Sequence, residues 1–177
     1  MTAGTTRDLG PLADLLNRAS ERIGRRIFLL SDEPYRRIRF DGLPFHSPLA
    51  FYPYSLMTYS YGKILLTPGQ RLGYIAMPPT LPNREEMRQA IQIVQVAGGW
   101  LFPNAIMQHA IAELEPLSID LAAMHRKRDR MVSALREMGY DVRSPDGTFY
   151  LLPRSPWEDD MAFCRELAAR KVLVLPG

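Results

Sequence analysis

Residues 60–73 read SYGKILLTPGQRLG and set one lysine, Lys63, directly behind a glycine, with Arg71 eight positions on between Gly69 and Gly73. A lysine does covalent chemistry when its amine can lose a proton and be held against a carbonyl carbon. Ser60, three residues before it, and Arg71 can both reach one anionic group. Arginine suits that task because its planar fork binds a phosphate at two points. Gly62 and Gly69 would let the backbone approach a ligand closely. A solvated surface lysine needs none of this company. Asp32 and Tyr35, within SDEPY, form a second pair. An acid there can pair with a protonated ring nitrogen, and a phenol three residues on can donate to a nearby oxygen. Taken alone, that pair also fits a strand-to-loop turn with a solvated aspartate.

These residues need elements to hold them. The continuous apolar run Ile27–Leu30 predicts a strand buried on both faces, ended by Pro34, and ligands of α/β sheets gather at such carboxyl ends. Further strands are expected over 55–59 and 72–77. A first helix is expected over 11–23, with Leu12, Leu15, Leu16, Ala19 and Ile23 on one face and Gly24 as its stop. Asn83 and Glu86 spell a capping box for a helix reaching about Val96, and another helix follows Pro103-Asn104. The longest periodic stretch runs from Ser118 to about Met138. Beyond it, a strand near Val142, a turn at 144–147 and a strand over 148–152 read as a hairpin. A helix over 157–170 and a strand over 172–175 complete a small α+β unit.

The composition, 46% hydrophobic and 23% charged over 177 residues, is that of a folded globular chain. The net charge of +3 gives weak grounds for an acidic partner. No apolar run is long enough for a signal peptide or a membrane span. Cys164 is the lone cysteine, so an internal disulfide is ruled out and the reducing cytoplasm is the default compartment. The basic run 125–130 interrupts a stripe of Leu121, Met124, Met131 and Leu135, so a solvated helix face is expected rather than a nucleic-acid contact. His46, His109 and His125 have no ligand spacing with Cys164, and no metal site is expected.

The motif SYGK followed by seven residues and RLG resembles the lysine signature of the class I/II aminotransferases, pyridoxal-phosphate enzymes of the aspartate aminotransferase fold. SDEPYRRI, which puts Asp32 31 residues before Lys63, resembles the family's aspartate-and-tyrosine segment. GTFYLLPR from Gly147 and VLVLPG near the end resemble two small-domain strands. One position departs, Thr67, where the family usually has an apolar residue.

The resemblance implies that Lys63 carries pyridoxal 5'-phosphate as a Schiff base and then shuttles the α-proton. Asp32 would keep the ring nitrogen protonated, Tyr35 would donate to the phenolic oxygen, and Ser60 and Arg71 would hold the phosphate. Three family parts that precede the aspartate strand have no counterpart in the 31 residues before Asp32: the glycine- or serine-bearing phosphate loop, the ring-stacking aromatic and an asparagine. The arginine that grips the substrate carboxylate is not matched either; Arg154 does not fall at its position.

The expected fold class is α/β: part of a large domain with a mixed, mostly parallel sheet over residues 1–117, a long connecting helix over 118–139, and part of a small α+β domain over 140–177. The expected reaction moves an amino group from an amino acid to a 2-oxo acid, within amino acid metabolism and biosynthesis, in a cytoplasmic protein that is a homodimer at full length. Elimination or carbon–carbon condensation on the same fold, or an inactive fragment, is the alternative. The sequence reads as a family member cut at both ends. Residues 1–177 alone are therefore expected to bind cofactor weakly, to self-associate through uncovered apolar faces and to transfer amino groups poorly.

Overall fold

The computed structural model describes residues 6–100 and 102–177; residues 1–5, part of the stretch read for a leader, lie outside the described residues. Helix α1 (Thr6–Ile23) opens five residues earlier than expected and carries Pro11 inside it. Its buried face is Leu9, Ala13 and Ser20, rotated from the expected apolar stripe, so that Leu15 and Ile23 are exposed. Ser20 explains the rotation. Its hydroxyl donates to Leu16 O at 2.7 Å and accepts from Ile27 N at 3.1 Å, tying the helix end to the chain that follows.

Strands β1 (Leu29–Asp32), β2 (Ser55–Ser60) and β3 (Gly73–Ala76) form one mixed sheet in that order, β1 parallel to β2 and β2 antiparallel to β3. The sheet has one parallel and one antiparallel pairing among the described residues, and this small mixed sheet with its helices is the expected part of an α/β domain. β1 starts two residues later than expected and is an edge strand. Leu30 is 64% exposed, which corrects the expectation of burial on both faces. β2 follows the alternation of a half-buried strand: Ser55, Met57 and Tyr59 point into the core and Leu56, Thr58 and Ser60 do not. Below the sheet, Tyr52 is buried and donates to Ile27 O at 2.6 Å, while Ser55 Oγ donates to Tyr52 O.

Helices α2 (Arg84–Ala97), α3 (Ala105–Leu114), α4 (Leu121–Glu137) and α5 (Asp160–Ala169) follow. Asn104, Asp120 and Asp159 cap the last three, each accepting from a backbone N–H three residues on. The capping box at Asn83 does not form: Asn83 sits at φ 54° with no side-chain cap bond, and it is Glu85 that pairs, with Arg88. In α4 the basic run is only partly solvated. Arg128 donates to Pro145 O at 2.7 Å and lies 4.8 Å over the Phe40 ring, on which His125 also stacks.

The largest departure lies after α4. Neither the hairpin over 142–152 nor the strand over 172–175 is present among the described residues. Residues 146–148 pair instead with 38–40: Phe40 N donates to Asp146 O and Thr148 N to Ile38 O, both at 2.8 Å. Gly147 makes that seat possible, since a Cβ there would stand 2.6 Å from Ile38 O. The expected turn glycine serves a close long-range approach.

Candidate active site

Because β1 and β2 are parallel, their carboxyl ends lie side by side. Asp32 is the last residue of β1 and registers with Thr58, two residues before the end of β2. Thr58 Oγ1 donates to Asp32 Oδ1 at 2.7 Å. The pleat puts Thr58 and Ser60 on one face, so Asp32, Thr58 and Ser60 share the more open face of the sheet. The opposite face carries the buried Met57 and Tyr59.

Beyond Ser60 the chain turns tightly. Leu65 N donates to Tyr61 O and Thr67 N to Gly62 O, while Tyr61 N reaches Leu72 O across the β2–β3 end. Ile64 is buried and anchors the turn. Beside it, the Lys63 Nζ lies 5.7 Å from the centre of the Tyr35 ring and 5.9 Å from that of Phe149. An ammonium at such distances is attracted by both ring faces. The two rings meet edge-on at 5.2 Å.

The Tyr35 hydroxyl donates to the Tyr150 hydroxyl at 2.9 Å. Burial, then Tyr150, then the charge of Asp32, push the Tyr35 phenol well above the ordinary tyrosine range. It is a proton donor at neutral pH.

The loop between β2 and β3 is shaped by close backbone approaches. Ser60 registers with Gly73, and a Cβ on Gly73 would stand 2.3 Å from Tyr59 O, so only glycine fits there. Gly62 is close to Pro68, with 3.1 Å from its ideal Cβ position to Pro68 Cα. Gly69 has nothing within 4 Å and makes no close approach within the chain. Arg71 is exposed, in left-handed backbone at φ 52°, and donates from one terminal nitrogen to Pro68 O at 3.1 Å.

Asp32, Tyr35, Ser60 and Lys63 are thus gathered at one sheet end, and Arg71 sits beside them with its guanidinium on its own loop. The donor set fits pyridoxal phosphate. Asp32 keeps its second carboxylate oxygen for a ring N–H, the glycine-lined turn brings backbone close to Ser60, and Arg71 is exposed to an anion. Two groups must change partner to serve it, Tyr35 by leaving Tyr150 and Arg71 by leaving Pro68.

Thr58, Phe149 and Tyr150 join the candidate site only in the folded chain. The spacing of two between Thr58 and Ser60 was a usable signal for the first. The aromatic pair falls in the expected strand over 148–152, and only the seating of 146–148 on 38–40 brings Phe149 to Lys63 and Tyr150 to Tyr35.

Similarity to known proteins agrees with this geometry. The family pattern of aminotransferase class I and II matches residues 3–177. An aspartate aminotransferase of Thermococcus kodakarensis is 28% identical over 84% of this chain and 39% of its own length. A methionine aminotransferase of Escherichia coli is 29% identical over 81% of this chain and 38% of its own length. Among solved structures, an aminotransferase from Eubacterium rectale superimposes with a TM-score of 0.89 at 32% identity, covering 98% of this chain and 44% of that one. An aromatic aminotransferase of Pyrococcus horikoshii, 21% identical, covers 99% of this chain and 47% of that one with a TM-score of 0.78, and shares the fold. The chain spans about two fifths of the length of the curated relatives it matches. Members of this family depend on pyridoxal phosphate. By its sequence and by its fold, the chain belongs to the class I and II aminotransferases.

Proposed function

We propose that these residues form the lysine-bearing part of a pyridoxal-phosphate site that moves an amino group from an amino acid to a 2-oxo acid. The observation that carries the reading is the position of Lys63 Nζ, 5.7 Å from the Tyr35 ring at the sheet end that bears Asp32 and Ser60. Lys63 binds the cofactor covalently through Nζ and moves the proton at the substrate α-carbon. The cofactor, when bound, supplies an electron sink for the bonds at that carbon. Asp32 holds a proton on the ring nitrogen. Tyr35 donates its hydroxyl proton to the phenolic oxygen, a role that suits a phenol held above its ordinary range. Ser60 Oγ and the Arg71 fork bind the phosphate.

Residues 1–117 make up part of the large domain, 118–139 the connecting helix and 140–177 part of the small domain. The amino donor is an α-amino acid, a class within which the relatives' names range from aspartate to methionine. A homodimer, a cytoplasmic location and a biosynthetic role belong to the same proposal. Exposed apolar side chains, among them Trp100, Phe102 and Ile106, support association, and the lone Cys164 suits a reducing compartment.

The test is an absorption titration of the chain with pyridoxal phosphate. A saturable visible band is expected, absent in Lys63→Ala, bleached slowly by an amino acid and restored by a 2-oxo acid. A band that Lys63→Ala retains, or a bleached band that a 2-oxo acid does not restore, overturns the reading.

A further inference from the structure

Asp32 is exposed at the very end of an edge strand. A carboxylate in that setting, exposed and with no strand paired beyond β1 among the described residues, has rotamers to choose from. Thr58 removes the choice. Its hydroxyl donates to Asp32 Oδ1 at 2.7 Å, and its carbonyl accepts the N–H of the next residue, Glu33, at 2.9 Å. One residue of β2 thereby grips the side chain of Asp32 and the backbone that follows it. Glu33 is itself pinned, buried and accepting from Ser31 Oγ at 2.9 Å and Ser47 Oγ at 2.6 Å. Threonine is suited to this because branching at Cβ makes its first side-chain torsion stiff in a strand.

We propose that Thr58 is a positioning residue for Asp32: by occupying Oδ1 it aims Oδ2 at the place of the cofactor's ring nitrogen. The inference rests on the amino-transfer reading above. Neither the lysine signature nor the aspartate segment includes Thr58; it emerges from the register of β1 on β2. Thr58 acts through Asp32, so its effect must vanish when residue 32 no longer offers it an acceptor.

The experiment is a double-mutant cycle on the full chain, read by the dissociation constant for pyridoxal phosphate and by the pH dependence of the bound cofactor's absorption. Thr58→Val keeps shape and strand preference and removes the donor; Thr58→Ser keeps the donor. Thr58→Val is expected to weaken binding about ten-fold, the scale of one hydrogen bond to a charged group, and to shift the absorption pH profile. Thr58→Ser should stay within about two-fold of the parent. In an Asp32→Ala background, which leaves Thr58 no acceptor, Thr58→Val should add nothing. Equal binding by parent and Thr58→Val overturns the inference, as does the same loss in the Asp32→Ala background or a loss in Thr58→Ser as large as in Thr58→Val. If Thr58→Val shifts the urea midpoint, Thr58→Ala against Thr58→Ser supplies the same comparison. No binding by the parent chain, or Asp32→Asn without effect, overturns both this inference and the amino-transfer reading. A Thr58 failure beside a strong Asp32 effect overturns this inference alone.

Discussion

Tyr35 and Tyr150 lie 115 residues apart in the chain, and the hydroxyl of the first donates to that of the second at 2.9 Å. The contact exists because Gly147 lets residues 146–148 seat on 38–40, which carries Phe149 and Tyr150 over the end of the sheet. Tyr35 has one proton to donate. In the proposed site that proton belongs to the cofactor's phenolic oxygen, so Tyr150 and the cofactor compete for it.

Removing the competitor should help binding. Tyr150→Phe is expected to tighten pyridoxal phosphate about two- to five-fold, the value of a net hydrogen bond of roughly 0.5–1 kcal/mol that no longer has to be broken. A fluorescence titration measures it. Weaker binding would show that Tyr150 supports the cofactor rather than competing with it.

Arg71 should matter for the phosphate and for nothing else. Arg71→Ala is expected to weaken pyridoxal phosphate about ten- to a hundred-fold, from the roughly 1.5–3 kcal/mol of a hydrogen bond to a charged group. Pyridoxal without its phosphate should bind parent and variant alike. Equal losses for both compounds would place the phosphate elsewhere.

Two glycines of the lysine loop should respond unequally to the same substitution. At Gly73 a Cβ would stand 2.3 Å from Tyr59 O, a backbone atom that cannot swing away. Gly73→Ala is expected to cost about 1–3 kcal/mol of stability, as overpacking does. Gly69 has nothing within 4 Å, and Gly69→Ala should fall within about 0.5 kcal/mol of the parent. Urea unfolding separates them.

Alkaline pH should destabilise the chain in a defined window. The Tyr61 phenol is pushed up to about 12, by burial first and then by the Glu115 carboxylate. Its folded value lies above its unfolded one, so the folded state keeps the proton longer. This contribution is therefore full below about pH 10 and declines as pH rises towards about 12. Tyr61→Phe should flatten the fall in urea midpoint over that window, and an identical fall would contradict the assignment.

Much of this site was legible in the sequence because its parts are local. Asp32 and Tyr35 flank one turn, and Ser60 and Lys63 leave one strand. The strand expected over 55–59 is found as β2 (Ser55–Ser60), although the buried Ser55 and the outward Leu56 break any polar–apolar alternation. What was not legible depends on distant partners. The buried face of α1 follows Ser20, a polar residue whose hydroxyl finds Ile27 N, so an apolar stripe alone pointed one position away. Asp146 and Gly147 have the composition of a hairpin turn, yet Asp146 O accepts from Phe40 N and the next residue, Thr148, donates its N–H to Ile38 O. Asn83 and Glu86 have the spacing of a capping box, but the chain enters α2 through left-handed backbone at Asn83 and the box does not close. The Thr58–Asp32 bond needs the register of two strands, which no local pattern specifies.

The central claim is that Lys63 is the residue that holds the cofactor. Borohydride reduction of the chain mixed with pyridoxal phosphate, followed by peptide mapping, tests it most directly. The reading expects one tagged peptide, that containing Lys63, with its tag lost when free pyridoxal phosphate is omitted. A tag on Lys127 or Lys171 with Lys63 unmodified would contradict it.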